Sequence, residues 1–249
     1  MLRTDGLTVR YGGVVAVDAV TLDVGPGELV GLIGPNGAGK TTFIDAVTGF
    51  VDSAGSVRLD GVPLDGLPPH RRVARGLTRS FQQVELFDDL DVAGNLQVAA
   101  DARPWWAPVA DLVRPGRPHP HPALDRAVAL LGVHHLLDRA VTELSEGERK
   151  LVGIARALAT GPRVLLLDEP AAGLDTGESE ALGVRLRAIA DAGVAVLLVD
   201  HDMGLVMGVC ERIHVLDGGA LVASGTPDAI RADERVVTAY LGATAGGAS

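Results

Sequence analysis

The sequence predicts an α/β fold built on a mostly parallel sheet, and three observations predict it. Short apolar runs at Leu29–Ile33, residues 164–167 and residues 194–199 stand beside Gly, Pro or Asp, and read as strands buried on both faces. Stretches with helical periodicity lie between them. The first run leads straight into Gly34-Pro35-Asn36-Gly37-Ala38-Gly39-Lys40-Thr41-Thr42, which fits G-x-x-x-x-G-K-[ST], a loop that joins a buried strand to a helix.

Composition agrees with that class. The chain has 249 residues, 47% of them hydrophobic and only 3% aromatic, so its core must be built from Val, Leu, Ile and Ala. An α/β chain of this length commonly forms one domain. The mean hydropathy of +0.25 raises the question of a membrane. The longest apolar run, residues 194–199, has six residues, against the ~18 that a spanning helix needs. The first residues, Met-Leu-Arg-Thr-Asp-Gly, lack the apolar core of a secretion signal, so a cytoplasmic location is expected. The one cysteine, Cys210, permits no internal disulfide and no multi-cysteine zinc site. With a net charge of −10 and no Lys/Arg run, nucleic acid is not expected as the main partner, because phosphate neutralisation needs a basic face.

Along the chain, residues 7–9, 21–24 and 57–59 read as short antiparallel strands, with Asp60-Gly61 as a hairpin turn. A helix begins near Lys40. Residues 91–159 are mostly helical. Asp91 caps a helix over Val92–Ala100, and Pro122 opens one whose apolar face is Leu124, Val128 and Leu131. Leu151, Ile154, Ala155 and Leu158 form a third stripe, closed by Gly161-Pro162. Residues 103–122 make a proline-rich loop holding Trp105 and Trp106, which either pack on the loop itself or contact a partner. A second hairpin is expected at Asp217-Gly218-Gly219, between residues 212–216 and 220–223. The chain ends in a short Gly/Ala stretch, residues 243–249.

Two motifs carry chemistry. In the loop at residues 34–42, glycines let the backbone curl so that several N–H groups face one anion. The helix that follows adds the positive end of its dipole. Lys40 is placed to reach β- and γ-phosphates, and the Thr41 hydroxyl to ligate Mg²⁺. The second motif is the run at residues 164–167 ending in Asp168-Glu169. In open α/β sheets ligands sit at the carboxyl ends of strands. Asp168 is then placed to hold Mg²⁺ through water, and Glu169 to orient or deprotonate an attacking water.

Taken together, the motifs resemble those of the ATP-binding subunits of ABC transporters, in the family's order and over nearly the whole chain. Tyr11 stands where the family has an aromatic that stacks on adenine, and Gln82 matches the glutamine loop. Leu144-Ser145-Glu146-Gly147-Glu148 matches the signature motif, Gly173-Leu174-Asp175 the loop that crosses the dimer interface, and His201 the switch histidine. The resemblance implies a P-loop NTPase core with an N-terminal antiparallel β subdomain and an inserted α-helical subdomain. The core and β subdomain would span residues 1–87 and 160–249, the helical subdomain residues 88–159. It implies ATP and Mg²⁺ as cofactors, with Gln82 contacting the metal or the attacking water and His201 bonding the γ-phosphate and bracing Glu169. Asp175 caps the next helix with Glu178 three residues on. Asp200 and Asp202 read as caps or solvated residues.

The signature departs from the common Leu-Ser-Gly-Gly-Gln at Glu146 and Glu148. Ser145 and Glu148 make a capping box. In the family the γ-phosphate of the opposite subunit binds here, which Ser145 and Gly147 still permit. Glu148 adds a negative charge beside that anion, so Glu148→Gln is expected to tighten ATP-induced dimerisation by roughly 0.5–1 kcal/mol. In the competing reading Glu148 faces solvent or pairs with Arg149 or Lys150.

Two stretches, residues 76–87 followed by 91–96, and residues 200–208 continuing to 225–230 and 239–242, are similar to ATPases of branched-chain amino acid importers and of the related urea and short-chain amide importers. That similarity implies membrane permease subunits, a second ATPase subunit, identical or homologous, and a solute-binding protein met indirectly. It places the chain on the inner face of the cell membrane. Phe87 would line a groove for a short helix of the membrane subunit. The rival readings are an exporter subunit, a soluble non-transport ATPase of the same type and a non-hydrolysing nucleotide binder.

Overall fold

Burial alternates along Leu2–Tyr11 (β1), which pairs antiparallel with Val14–Val24 (β2). On its other side β1 pairs with Ala54–Leu59 (β4), and β4 turns through Asp60-Gly61 into Val62–Pro63 (β5). The strands here are longer than residues 7–9, 21–24 and 57–59. Register shifts in the β1–β2 ladder and a positive φ at Ala19 interrupt the alternation, so the sequence shows only fragments of each period. Thr4 also breaks the pattern. It is buried, and its hydroxyl donates to Val20 O at 3.2 Å and accepts from the Leu22 N–H at 3.1 Å.

The computed structural model describes residues 1–80, 86–100 and 121–236. The chain divides into two units, Met1–Gln82 with Arg163–Ser249, and Gln83–Pro162. The first holds the antiparallel sheet and a second sheet whose strands stand in the order Ala220–Gly225 (β10), Arg212–Asp217 (β9), Leu29–Ile33 (β3), Ala195–Val199 (β8), Val164–Asp168 (β7) and Leu77–Ser80 (β6). Its centre is Leu29–Ile33 (β3), Val164–Asp168 (β7) and Ala195–Val199 (β8), buried at every position and paired in parallel. Leu77–Ser80 (β6) closes one edge. Its polar Thr-Arg-Ser composition hid it as a strand. Arg212–Asp217 (β9) runs parallel to β3 and turns back as Ala220–Gly225 (β10).

Helix α1 (Lys40–Thr48) buries Phe43, Ile44, Ala46 and Val47. They join one apolar cluster with residues from both sheets, among them Leu2, Leu22, Leu32, Leu166 and Leu197. This burial, at about 25 cal/mol per Å² of apolar area, holds the phosphate loop in place. Arg72 of the short helix α2 (Pro69–Ala74) caps the far end of α1, donating to Val47 O at 2.6 Å and Ala46 O at 3.0 Å. Arg212 bridges Glu28 (2.8 Å) and Asp23 (3.0 Å), joining the end of β2 to the starts of β3 and β9.

The second unit is helical: α3 (Val92–Ala100), α4 (Pro122–Leu131) and α5 (Glu146–Ala159), with 3₁₀ turns at His134–Leu136 and Val141–Glu143. Asp91 caps α3, accepting from the Gly94 N–H at 2.7 Å. Helix α5 packs against α3 and α4. Its buried face is Val152, Ile154, Ala155, Ala157, Leu158 and Ala159, and Leu151 and Leu124 are only half-buried. Both tryptophans of the proline-rich loop, Gln82, and residues 239–242 lie outside the described residues. Among the described residues no helix is long and apolar enough to cross a membrane.

Candidate functional site

The loop at residues 34–39 leaves the carboxyl end of β3 and enters α1 at Lys40. Gly39 is its N-cap with φ +97, and no side chain caps the first turn. A Cβ on Gly39 would collide with the Ala16 carbonyl oxygen, and one on Gly34 with that of Leu216. Glycine is therefore required sterically at both ends of the loop. The first-turn amides are left to face an anion. Pro35 is half-buried, Asn36 and Gly37 are exposed and Ala38 is buried. Lys40 is folded onto the loop, its Nζ donating to Gly34 O at 2.7 Å and to Pro35 O at 3.1 Å. Burial lowers the Lys40 pKa, and the nearby charges of Glu169 and Asp168 oppose that shift. An anion offered by a ligand would replace carbonyl partners with a far stronger one.

Strand β7 delivers Asp168 and Glu169 beside this loop. Asp168 is 2% exposed, and its Oδ2 accepts from Arg79 Nη2 at 2.7 Å. Glu169 stands in the left-handed region at φ +49, and its N–H donates to Val199 O at 2.7 Å. A non-glycine residue there costs on the order of 1 kcal/mol or more. That bond fixes Glu169 against the end of β8, from which His201 follows. His201 Nδ1 lies 3.9 Å from Glu169 Oε1 and 3.8 Å from Asp200 Oδ1, too long for hydrogen bonds.

Asp202 is a cap, as expected: it accepts from the Leu205 N–H at the start of α7 (Met203–Val209). Asp200 is neither cap nor solvated. It is 1% exposed, accepting from the Ala171 N–H at 3.0 Å and the Asp202 N–H at 2.9 Å. A carboxylate this deep must be bonded, and the run of apolar residues before it was the signal for its burial. Asp175 caps α6 (Thr176–Asp191) in a capping box with Glu178. Tyr11, at the end of β1, is half exposed.

Thr41 is exposed on the first turn of α1, and Thr42 is half-buried. With Asp168 it offers hard oxygen donors. Among the described residues no three His, Cys, Asp or Glu converge on one point. Magnesium takes one or two protein oxygens and fills its octahedron with water and phosphate, so this donor set fits it.

On the helical unit, Ser145 caps α5. Its Oγ accepts from the Glu148 N–H at 3.2 Å, and Glu148 Oε2 accepts from the Ser145 N–H at 2.8 Å. Glu148 pairs with neither Arg149 nor Lys150. Its partner is Arg139 at 3.0 Å, while Arg149 and Lys150 reach Asp88 and Glu146. The bond to the Ser145 backbone, with Arg139, holds its carboxyl below the usual range. Arg139 lies nine residues away across a turn, a distance no helical periodicity exposes. Gly147 is half-buried in the first turn, and Phe87 is 51% exposed with the Arg156 guanidinium 5.8 Å above its ring.

Residues 17–172 match the family model described as ABC transporter, and residues 220–246 match that of the branched-chain amino acid ATP-binding cassette transporter. The chain is 40% identical to the high-affinity branched-chain amino acid transport ATP-binding protein BraF of Pseudomonas aeruginosa, over 97% of this chain and 98% of that one. It is 39% identical to the lipopolysaccharide export system ATP-binding protein LptB of Escherichia coli, over 97% of each. The fold superposes on a crystal structure of the ADP conformation of an ATP-binding cassette of an ABC transporter, with a TM-score of 0.83 and 27% identity, over 97% of this chain and 98% of that one.

Proposed function

This chain belongs to the ATP-binding subunits of ABC transporters, and we propose that it binds and hydrolyses ATP to energise an importer of branched-chain amino acids. The observation that carries the catalytic reading is the convergence at the ends of β3, β7 and β8. Lys40, Asp168, Glu169 and His201 gather there around a loop whose helix start has no side-chain cap. The match of residues 220–246 to the importer model supports the substrate class. The exporter relative is 39% identical over 97% of each chain, so overall identity does not by itself separate import from export, and the importer model is what favours import.

In this reading the amides of residues 34–42 and Lys40 bind the phosphates, and Tyr11 stacks on the adenine. Thr41, Gln82 and, through water, Asp168 would hold magnesium, which would supply positive charge to the phosphates. Glu169 takes the proton of the attacking water, and His201 steadies Glu169 and the γ-phosphate. Two ATPase subunits meet head to tail, so that Ser145, Gly147 and Asp175 of one complete the site of the other. Closure on ATP and opening after hydrolysis move the permease subunits on the inner face of the membrane. Phe87 and its neighbours meet those permeases.

The test is uptake of labelled leucine by cells deleted for this chain and complemented with wild type or Glu169→Gln. Restoration by wild type alone supports the reading. Unchanged leucine uptake in the deletion, with loss of urea or amide uptake, replaces the substrate. Loss of no solute uptake moves the chain to an exporter or a non-transport ATPase.

A further inference from the structure

Arg79 lies on β6, at the sheet edge beside β7, and its side chain is 9% exposed. One guanidinium nitrogen, Nη1, pairs with Asp45 of α1, and Nη2 pairs with Asp168 Oδ2 at 2.7 Å. Asp45 stands four residues after Thr41 on the same helix, hence on the same face. One buried cation thus ties together a carboxylate next to Thr41 and the aspartate that ends β7. Arginine's planar fork presents a separate nitrogen to each carboxylate, whereas lysine's donors share one nitrogen on a shorter side chain. The arginine's bond engages Oδ2 and leaves the other oxygen of Asp168 as the one better placed to face a hydrated cation.

We propose that Arg79 is a positioning residue for the divalent-cation site: a built-in counter-charge that keeps Asp45 and Asp168 from retaining a metal ion before nucleotide arrives, and that presents one oxygen of Asp168 once it does. The proposal rests on the reading of Asp168 as the cation-holding residue. Two carboxylates stripped of a shared guanidinium in a low-dielectric setting either gather a divalent cation or lose a charge. With Arg79 present one of their two negative charges is already offset and both carboxylates are engaged, so a cation gains less from them until phosphate adds its own charge.

The experiment titrates Mn²⁺ into the purified full-length chain, with and without ATP, and reads free Mn²⁺ by electron paramagnetic resonance. Without nucleotide, Arg79→Gln is expected to bind one Mn²⁺ at least tenfold more tightly than wild type, and Arg79→Gln/Asp168→Asn to lose the gain. Arg79→Lys, which keeps a charge but loses the fork and some reach, is expected to gain at least threefold, and serves if the glutamine variant does not fold. No gain in either variant, or a gain that survives Asp168→Asn, overturns the proposal. The underlying reading is tested separately in the same titration: it fails if Asp168→Asn in the wild-type background leaves Mn²⁺–ATP affinity unchanged.

Discussion

Asp200 accepts a hydrogen bond from the Ala171 amide at 3.0 Å, and so ties the segment that follows Glu169 to the one that carries His201. Its other oxygen takes the Asp202 amide at 2.9 Å, which sets the start of α7. Both bonds are buried or nearly so. The mutual placement of the two proposed catalytic side chains therefore rests on this buried carboxylate as well as on the Glu169 N–H bond to Val199 O.

Asp200→Ala leaves two amides without their acceptor and is expected to cost about 1–3 kcal/mol in stability. Asp200→Asn keeps one acceptor oxygen and is expected to lose less. In both variants kcat should fall more than ATP affinity, because the phosphate loop is untouched. Urea unfolding and steady-state ATPase kinetics check this, and equal kcat in all three proteins would refute it.

The left-handed backbone at Glu169 (φ +49) inverts an ordinary stability order. At most positions alanine is more stabilising than glycine by about 0.5–1 kcal/mol. Here Glu169→Gly is expected to be at least as stable as Glu169→Ala, with both inactive. Thermal unfolding of the pair decides, and a clear advantage for alanine would mean the strain is not there.

Lys40 and Glu169 should separate binding from turnover. Lys40→Ala removes the only side-chain cation among the described residues placed on the loop carbonyls and is expected to weaken ATP binding by roughly 100-fold, on the scale of a lost charge-assisted bond. Glu169→Gln is expected to keep ATP affinity and lose turnover. Equilibrium binding of a fluorescent ATP analogue and phosphate release measure the two. A Glu169→Gln protein with normal turnover would remove Glu169 as the base.

His214 gives the folded chain a sensitivity to acid. It is 3% exposed, and neither ring nitrogen has a hydrogen-bond partner. Burial, with the charge of Arg212, pulls its pKa from 6.5 to about 4. The unfolded chain binds a proton below about 6.5 that the folded chain refuses until about 4. Stability from this group is therefore complete above the unfolded pKa and falls as the pH drops from about 6.5 to 4, by on the order of 3 kcal/mol. Urea unfolding of wild type and His214→Leu between pH 4 and 7 tests it: wild type should lose stability relative to the variant on acidification. Parallel curves would count against it.

Glu148 is balanced by Arg139, so Glu148→Gln is expected to shift ATP-dependent dimerisation by less than the roughly 0.5–1 kcal/mol of an unpaired charge at a helix end. Arg139→Ala, which leaves the carboxylate uncompensated beside Ser145, should weaken dimerisation. Sedimentation with and without ATP, in a Glu169→Gln background, reads both. A strong gain from Glu148→Gln would restore the view that its charge opposes the phosphate.

What the sequence by itself determined is the chemistry that short range controls. The phosphate loop, the buried strands β3, β7 and β8, the hairpin at Gly218-Gly219 and the capping boxes at Ser145 and Asp175 all follow from residues within a few positions of one another. Backbone sterics and capping bonds act at that range. The tertiary structure alone decided the rest. Arg79 and Asp168 are 89 positions apart, and Ala171 and Asp200 are 29 apart. Strand β6 was illegible because an edge strand needs no apolar run. The same holds for Glu148, whose partner sits across a turn, and for Glu169, held at positive φ by a bond to another strand. A buried charge announces that it must be paired, but which partner it finds depends on strand order and helix placement, which no local pattern encodes.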